Sequence, residues 1–296
     1  MSKNTKVKIF CIYHQPGHIF ESDIFVPIQT GASNSTCHLD ILKDNTGDNI
    51  SYKNENYAEL TANYWVWKNY LKENQDVEYI GFCHYRRFID FEKAPKAKNC
   101  FSEVKPTDQF VKIFEKKYNQ KNIYPRIKNY DVILPKQFST KGESLYEHYC
   151  KEHPSKDLHQ LIKIIEEHYP DYVETMTDVL NDTKGYFCLN YVMKRNLFEE
   201  YMDWVFNILS KLEEISDWSE YKEYCAGKTP AYLIERFFNV WLRYKIKNND
   251  IKILERHSIL LKNLKLKKVF PGITYTEDEN RRIISIFNTN IKLKKK

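Results

Sequence analysis

The sequence predicts an α/β fold, a mostly parallel sheet flanked by helices. Three observations carry this. Short apolar runs stop abruptly at polar, Pro or Gly residues, longer stretches repeat apolar residues at steps of three and four, and the two kinds alternate along the chain. Lys6 to His14 (KVKIFCIYH) is a buried strand ending at His-Gln-Pro-Gly. Tyr57 to Leu71 is a helix, because Tyr57, Leu60, Tyr64, Trp67 and Leu71 make one stripe. Glu78 to His84 (EYIGFCH), Asp131 to Pro135 (DVILP) and Gly185 to Met193 (GYFCLNYVM) are further strands. Leu158, Leu161, Ile162 and Ile165 mark a second helix, and Leu197, Tyr201, Trp204, Val205, Ile208 and Leu212 a third. A fourth carries Leu233, Phe237, Val240, Trp241 and Tyr244 and opens at Thr229-Pro230, a pair suited to a helix start. Ile251 to Leu254 is a short strand, and the Lys-rich, Pro-bounded stretch from Glu92 to Pro106 is a surface loop. In such sheets ligands bind beyond the carboxyl ends of the strands. Those ends carry His14, His84 to Arg87, and the residues after Pro135.

The bulk numbers narrow the function classes. The chain has 296 residues, with one folded unit expected over 1–260 and a basic extension over 261–296. A net charge of +6, from 46 basic and 40 acidic side chains, is too small for a dedicated nucleic-acid binder. It suits anionic small ligands or an anionic membrane surface, to which Lys262, Lys265, Lys267, Lys268 and Lys292 to Lys296 contribute most. Tyr, Phe and Trp reach 15%, which fits a site that stacks on bases or sugars and equally a Tyr-rich core. Seven cysteines lie scattered, none in a CxxC pair, which disfavours a zinc site or a disulfide framework. Cys11, Cys83 and Cys188 fall inside the apolar runs as small hydrophobes. The first apolar run, of about seven residues, is short for a secretory leader. No window approaches the ~20 apolar residues of a membrane span, so a cytoplasmic location is expected.

Four constellations could carry chemistry. KDNTGDNIS, from Lys43 to Ser51, presents carboxylates and amides around one Gly, either to a sugar or ribose or simply to its own turn. NENYAELTANYWVW, from Asn54, sets Glu59 and Thr61 close to an aromatic helix face, where a Glu caps the turn or meets a ligand hydroxyl. In GFCHYRRF a buried strand runs into His84, Arg86 and Arg87. Alternation places His84 and Arg86 on one side and Tyr85 and Arg87 on the other. Desolvated guanidinium is costly, so the Arg pair faces phosphate oxygens or a carboxylate network. In TPAYLIERFFNVW, Glu235 and Arg236 interrupt an apolar helix start. Glu235 is a candidate general base if burial raises its pKa, and Arg236, about 100° away around a helix, need not neutralise it. An ion pair is the structural alternative. The absence of P-loop, GxSxG, HExxH and GxGxxG patterns disfavours kinases, serine hydrolases, zinc proteases and dinucleotide oxidoreductases.

Taken in order, KIFCIYHQPG, DNTGDNISYKNENYAELTANYWVWKN, IGFCHYRRF, YFCLNYVM and IERFFNVW resemble a bacterial family first catalogued as a domain of unknown function. That family is associated with capsular and exopolysaccharide glycosyltransferases, some of them galactofuranosyltransferases. The resemblance covers residues 7 to 257. It implies a GT-A-like fold and sugar transfer from a nucleotide diphosphate sugar, UDP-galactofuranose or another UDP-hexose, to a growing glycan. The acceptor would be an oligosaccharide or lipid-linked, at the inner membrane surface, with no nucleic acid as partner. His14, His84, Arg86, Arg87, Asp44, Asp48 and Asn49 would bind the donor; Glu59, Thr61 and Asn190 would meet the donor or acceptor sugar; Glu235 would be the base of an inverting reaction. The fold's middle strand normally ends in Asp-x-Asp, which holds a divalent ion on the diphosphate. Here it ends in His84-Tyr85-Arg86-Arg87, so no cofactor is expected, with Asp44 and Asp48 an alternative manganese or magnesium site. A non-catalytic glycan-binding subunit and another nucleotide-dependent transferase are the competing readings.

Overall fold

Period-two burial decides the first strand. β1 (Val7–Tyr13) sends Phe10 and Ile12 into one apolar layer and Val7, Ile9, Cys11 and Tyr13 into the other. A strand buried on both faces belongs in the middle of a three-layer stack. The computed structural model describes residues 6–93, 101–221 and 228–262, and by backbone alone 265–270, 273–277, 281–286 and 289–294. β2 (Phe25–Gln29) and then β3 (Leu42–Lys43) extend the sheet from one edge of β1, all in parallel. The chain then forms α1 (Asn54–Tyr57), α2 (Leu60–Trp65), a π-helical turn at Val66–Tyr70 and α3 (Leu71–Glu73). β4 (Tyr79–His84) returns parallel to the other edge of β1.

The sheet then departs from the expected mostly parallel arrangement. β5 (Arg87–Asp90) turns back antiparallel on β4 after only Tyr85 and Arg86. β6 (Phe101–Val104), α4 (Asp108–Lys117), α5 (Gln120–Ile127), β7 (Val132–Pro135) and β8 (Phe138–Ser139) follow. Next come α6 (Leu145–Glu152), α7 (Ser155–His168), α8 (Val173–Asn181), β9 (Lys184–Gly185), β10 (Tyr191–Lys194) and α9 (Arg195–Ile215). The last helix, α10 (Thr229–Asn249), leads into β11 (Ile253–Leu261). The strand order is β10-β7-β11-β5-β4-β1-β2-β3, with β6 beside β11. β10 is antiparallel to both β7 and β4, so these five strands close into a ring and the sheet is mixed. Closure demands a close approach at Gly81: a Cβ there would lie 2.5 Å from Val192 Cγ2 and 2.8 Å from the Tyr191 carbonyl oxygen.

Several expectations are corrected. The stripe from Tyr57 to Leu71 is broken, because the chain kinks at Ala58 and widens to a π turn, which rotates Trp65 and Val66 into the core and leaves Tyr64 and Trp67 half-buried. The strand expected from Gly185 spans only Tyr191–Lys194, and Cys188 lies in a loop. The loop expected at Glu92 to Pro106 contains β6, and the short strand at Ile251 becomes the nine-residue β11, because paired neighbours satisfy their backbones. The largest fully buried side chains are one Trp, five Tyr and six Phe, so much of the aromatic excess is core. Beyond β11 the backbone forms a four-stranded antiparallel meander: β12 (Lys265–Phe270), β13 (Ile273–Glu277), β14 (Arg281–Ile286) and β15 (Thr289–Lys294). Its side chains, on which the membrane-surface expectation rests, lie outside the described residues. No described helix is long and apolar enough to cross a membrane.

Candidate active site

The carboxyl ends of β1, β2 and β4 lie side by side, and three loops bring polar groups to them. The first is the β4–β5 turn. Because the strand ends at His84, Tyr85 and Arg86 form the turn and His84 pairs directly with Arg87, so the expected alternation of the four side chains fails. Tyr85 packs against Tyr13 and His14, with ring centroids 5.9 and 5.3 Å apart, and its hydroxyl accepts from Gln15 Nε2 at 2.5 Å. Arg86 lies over the Tyr85 ring, whereas Arg87 is exposed and has no carboxylate in ion-pair range among the described residues.

The second is the kink before α2. Ala58 sits at φ 45° and ψ −125°, a conformation costly for a side-chain-bearing residue, at about 1–3 kcal/mol. Its carbonyl accepts from Asn54 Nδ2 at 2.6 Å and Thr30 Oγ1 at 3.3 Å. The kink delivers the next residue, Glu59, to the cleft, with its Oε1 3.9 Å from His84 Nε2.

The third is the loop before β10. Asn239 on α10 clasps Tyr186 through both its N–H (2.7 Å) and its carbonyl (3.0 Å). Cys188 and Leu189 then adopt left-handed backbone, φ 66° and 40°. This turns the Cys188 peptide so that its N–H donates to Glu235 Oε1 at 3.1 Å and its carbonyl accepts from His84 Nε2 at 2.7 Å. A carbonyl only accepts, so His84 carries its proton on Nε2. Arg236, buried between the Tyr149 and Phe187 rings, donates to Glu235 Oε2 at 3.2 Å. The expectation that Arg236 points away from Glu235 is therefore corrected.

The electrostatics follow from enclosure. The Glu59, His84 and Glu235 side chains are 13%, 20% and 15% exposed. Burial, and then the neighbouring Glu59, push the Glu235 carboxyl up to about 7, against the opposing pull of Arg236, the Cys188 N–H and His84. Burial also raises Glu59, opposed by Lys228 and Arg87. Burial and the Arg87 charge hold His84 down at about 4, so it is neutral at pH 7. His14 is lowered by desolvation and then by Lys228, His84 and Arg86, which places it beside that cluster.

The structure thus brings together Glu59, His84, Arg87 and Glu235, with His14 and Arg86 at the rim. It does not bring the NTGDNIS residues to them as ligands. Asp44 is fully buried, and its oxygens accept from Gly31 N (2.8 Å), Ala32 N (3.0 Å), Ser51 Oγ (2.5 Å) and Thr61 Oγ1 (2.6 Å). Thr61 is spent on that hub, which holds the turn after β2 and the start of α2. Asp48 accepts from Tyr64, and Asn49 bonds the Gly47 carbonyl and the Ser51 N–H. Asp44 has no oxygen left for a metal, so a divalent ion does not fit there. Among the described residues no group of three His, Cys, Asp or Glu is arranged to hold one. Asn190 is 6% exposed and lines a cavity of about 370 Å³ shared with Arg87, His148, Phe187 and Cys188. Lys228, His148 and the Cys188 peptide have no sequence signal, since each acts through a contact made only in the fold.

The architecture has a solved counterpart. It matches the apo structure of WbbM, a bifunctional glycosyltransferase, with a TM-score of 0.77 and 30% identity over 90% of this chain. The match takes in 48% of that structure, so the chain spans about half its length. The chain belongs to the family described as domain of unknown function DUF4422, whose profile matches residues 8–248. No curated protein matches it.

Proposed function

We propose that the chain is an inverting glycosyltransferase that moves a hexosyl group from a nucleotide diphosphate sugar to a hydroxyl of a growing capsule or exopolysaccharide glycan. The observation that carries this is a buried carboxylate, Glu235, held by the Cys188 N–H and Arg236 and grouped with His84, Glu59 and an exposed Arg87 that has no ion-pair partner among the described residues. The acceptor oxygen attacks C1 of the donor sugar and its proton passes to Glu235. The C1–O bond to the diphosphate breaks with its electron pair, and the charge that accumulates there is met by Arg87 and Arg86. Glu59 accepts from a sugar hydroxyl and keeps Glu235 basic by repulsion. Neutral His84 locks the Cys188 peptide, which holds Glu235 in place. The nucleotide lies toward the ends of β1 and β2, beside His14.

Incubation with a panel of UDP-hexoses, UDP-galactofuranose among them, is expected to release UDP slowly without acceptor, and to do so equally after exhaustive chelation. Release that stops in chelator and returns with manganese would overturn the metal-free reading. No release from any donor would favour a non-catalytic glycan-binding subunit instead. Arg87→Ala is expected to weaken UDP binding by about 1.5–3 kcal/mol, the scale of a charge-assisted hydrogen bond, and to abolish turnover. Calorimetry that finds wild-type UDP affinity in the folded variant would remove Arg87 from the donor site.

A further inference from the structure

The cavity beside the cleft has no assigned ligand. It is walled by β5, β7, β11 and the loop before β10, on the opposite side of β4 from β1, β2 and β3. Its polar groups are unusually well defined. Asn190 is more than nine-tenths buried; its Nδ2 donates to the Arg87 carbonyl at 3.4 Å, and its Oδ1 has no hydrogen-bond partner among the described residues. A buried amide oxygen left unsatisfied is destabilising. His148 lines the same cavity, and its Nδ1 stands 3.2 Å from Arg236 Nη2. A guanidinium only donates, so Nδ1 accepts and the proton sits on Nε2. Burial and the Arg236 charge lower the His148 pKa, which keeps the ring neutral. The cavity is thus lined by the neutral His148 ring, the Asn190 amide and the Phe138 and Phe187 side chains, with Arg87, Ser139, Thr140 and Ser258 completing its polar wall.

We infer that this cavity is the acceptor subsite and takes one neutral sugar ring. Vicinal hydroxyls answer His148 and Asn190, one accepting from His148 Nε2 and the other pairing with the Asn190 amide. The C–H face of the ring lies on the phenylalanines. A simple apolar ligand would leave these polar groups unpaired. The volume holds a ring with room for a linked residue. The subsite meets the reacting centre at Arg87 and Cys188, which line the cavity, and Cys188 carries the hydrogen bond to Glu235. Arg236 becomes a double positioning residue, pairing Glu235 with one nitrogen and setting the His148 tautomer with another.

This assignment rests on the transferase reading for its role but not for its ligand, and the test separates the two. Saturation-transfer NMR on the full chain, with methyl hexopyranosides and methyl hexofuranosides at tens of millimolar, reads sugar binding directly. UDP in the same tube reports an intact donor site. At least one glycoside is expected to bind, and Asn190→Leu and His148→Phe are each expected to weaken it about tenfold, the scale of one buried hydrogen bond. His148→Gln, which keeps a donor, should restore part of the affinity, and a melting curve checks that each variant is folded. Donor hydrolysis with no glycoside binding overturns the subsite and leaves the transferase. Glycoside binding lost in these variants, with no hydrolysis of any donor, keeps the subsite and overturns the transferase. Glycoside binding that survives both Asn190→Leu and His148→Phe overturns the assignment.

Discussion

Glu235→Gln is expected to lower turnover by about 10²–10⁴-fold while UDP binding persists, because the amide keeps the shape of the side chain and loses its basicity. The pH profile supplies the sharper check. A base must be ionised to accept a proton, and the Glu235 carboxyl titrates near 7, so wild-type kcat/KM should rise with pH through about 7 and level off above it. That limb should be absent from the residual activity of the Gln variant. Stability moves the other way. Glu235 is raised in the folded chain above its ordinary carboxylate value, so between that value and about 7 the unfolded chain has given up a proton that the native one retains. This group therefore makes the fold less stable as pH rises across that window, and the Gln variant should lack the slope. A folded Gln variant with near-wild-type kcat would end the assignment of Glu235 as base and leave it a partner of Arg236.

The second large effect falls on stability. Asp44→Ala removes the acceptor for two backbone N–H groups and two hydroxyls, all enclosed, and is expected to cost about 3–4 kcal/mol. Asp44→Asn, which accepts through one oxygen only, should cost less. Urea denaturation of the three proteins measures both. The hub also anchors Thr61, one turn beyond the Ala58 kink, so turnover should fall in any folded fraction through misplacement of Glu59. Equal stability of wild type and both variants, with loss of UDP binding alone, would return Asp44 to the donor site.

Much of the candidate site was legible before the fold. Glu235 stood out because a carboxylate interrupts an apolar helix start, and His84, Arg86 and Arg87 because charge follows a buried strand without a break. Both are local contrasts between burial pattern and residue type. The NTGDNIS carboxylates show the limit of such contrasts. Composition shows a polar turn but not that Gly31, Ala32, Ser51 and Thr61 would converge on Asp44 and exhaust it. The helix that begins near Tyr57 kept its place but lost its expected face, since a π turn and a strained Ala58 are imposed by tertiary contacts that outweigh the 3.6-residue period.

What the sequence determined by itself is the alternation of strands and helices, the end of the sheet where the candidate site lies, and the identity of the charged groups there, because periodicity and burial are properties of neighbours along the chain. Only the tertiary structure decided the rest. β10 closes onto β4 over Gly81, making the sheet mixed rather than mostly parallel. The Cys188 peptide, turned by two left-handed residues in a loop whose Tyr186 is clasped by Asn239, joins His84 to Glu235 across residues far apart in sequence. Arg236 fixes both a carboxylate and the proton of His148. Each of these depends on backbone groups and on distances through space, which side-chain chemistry read in order along a chain does not contain.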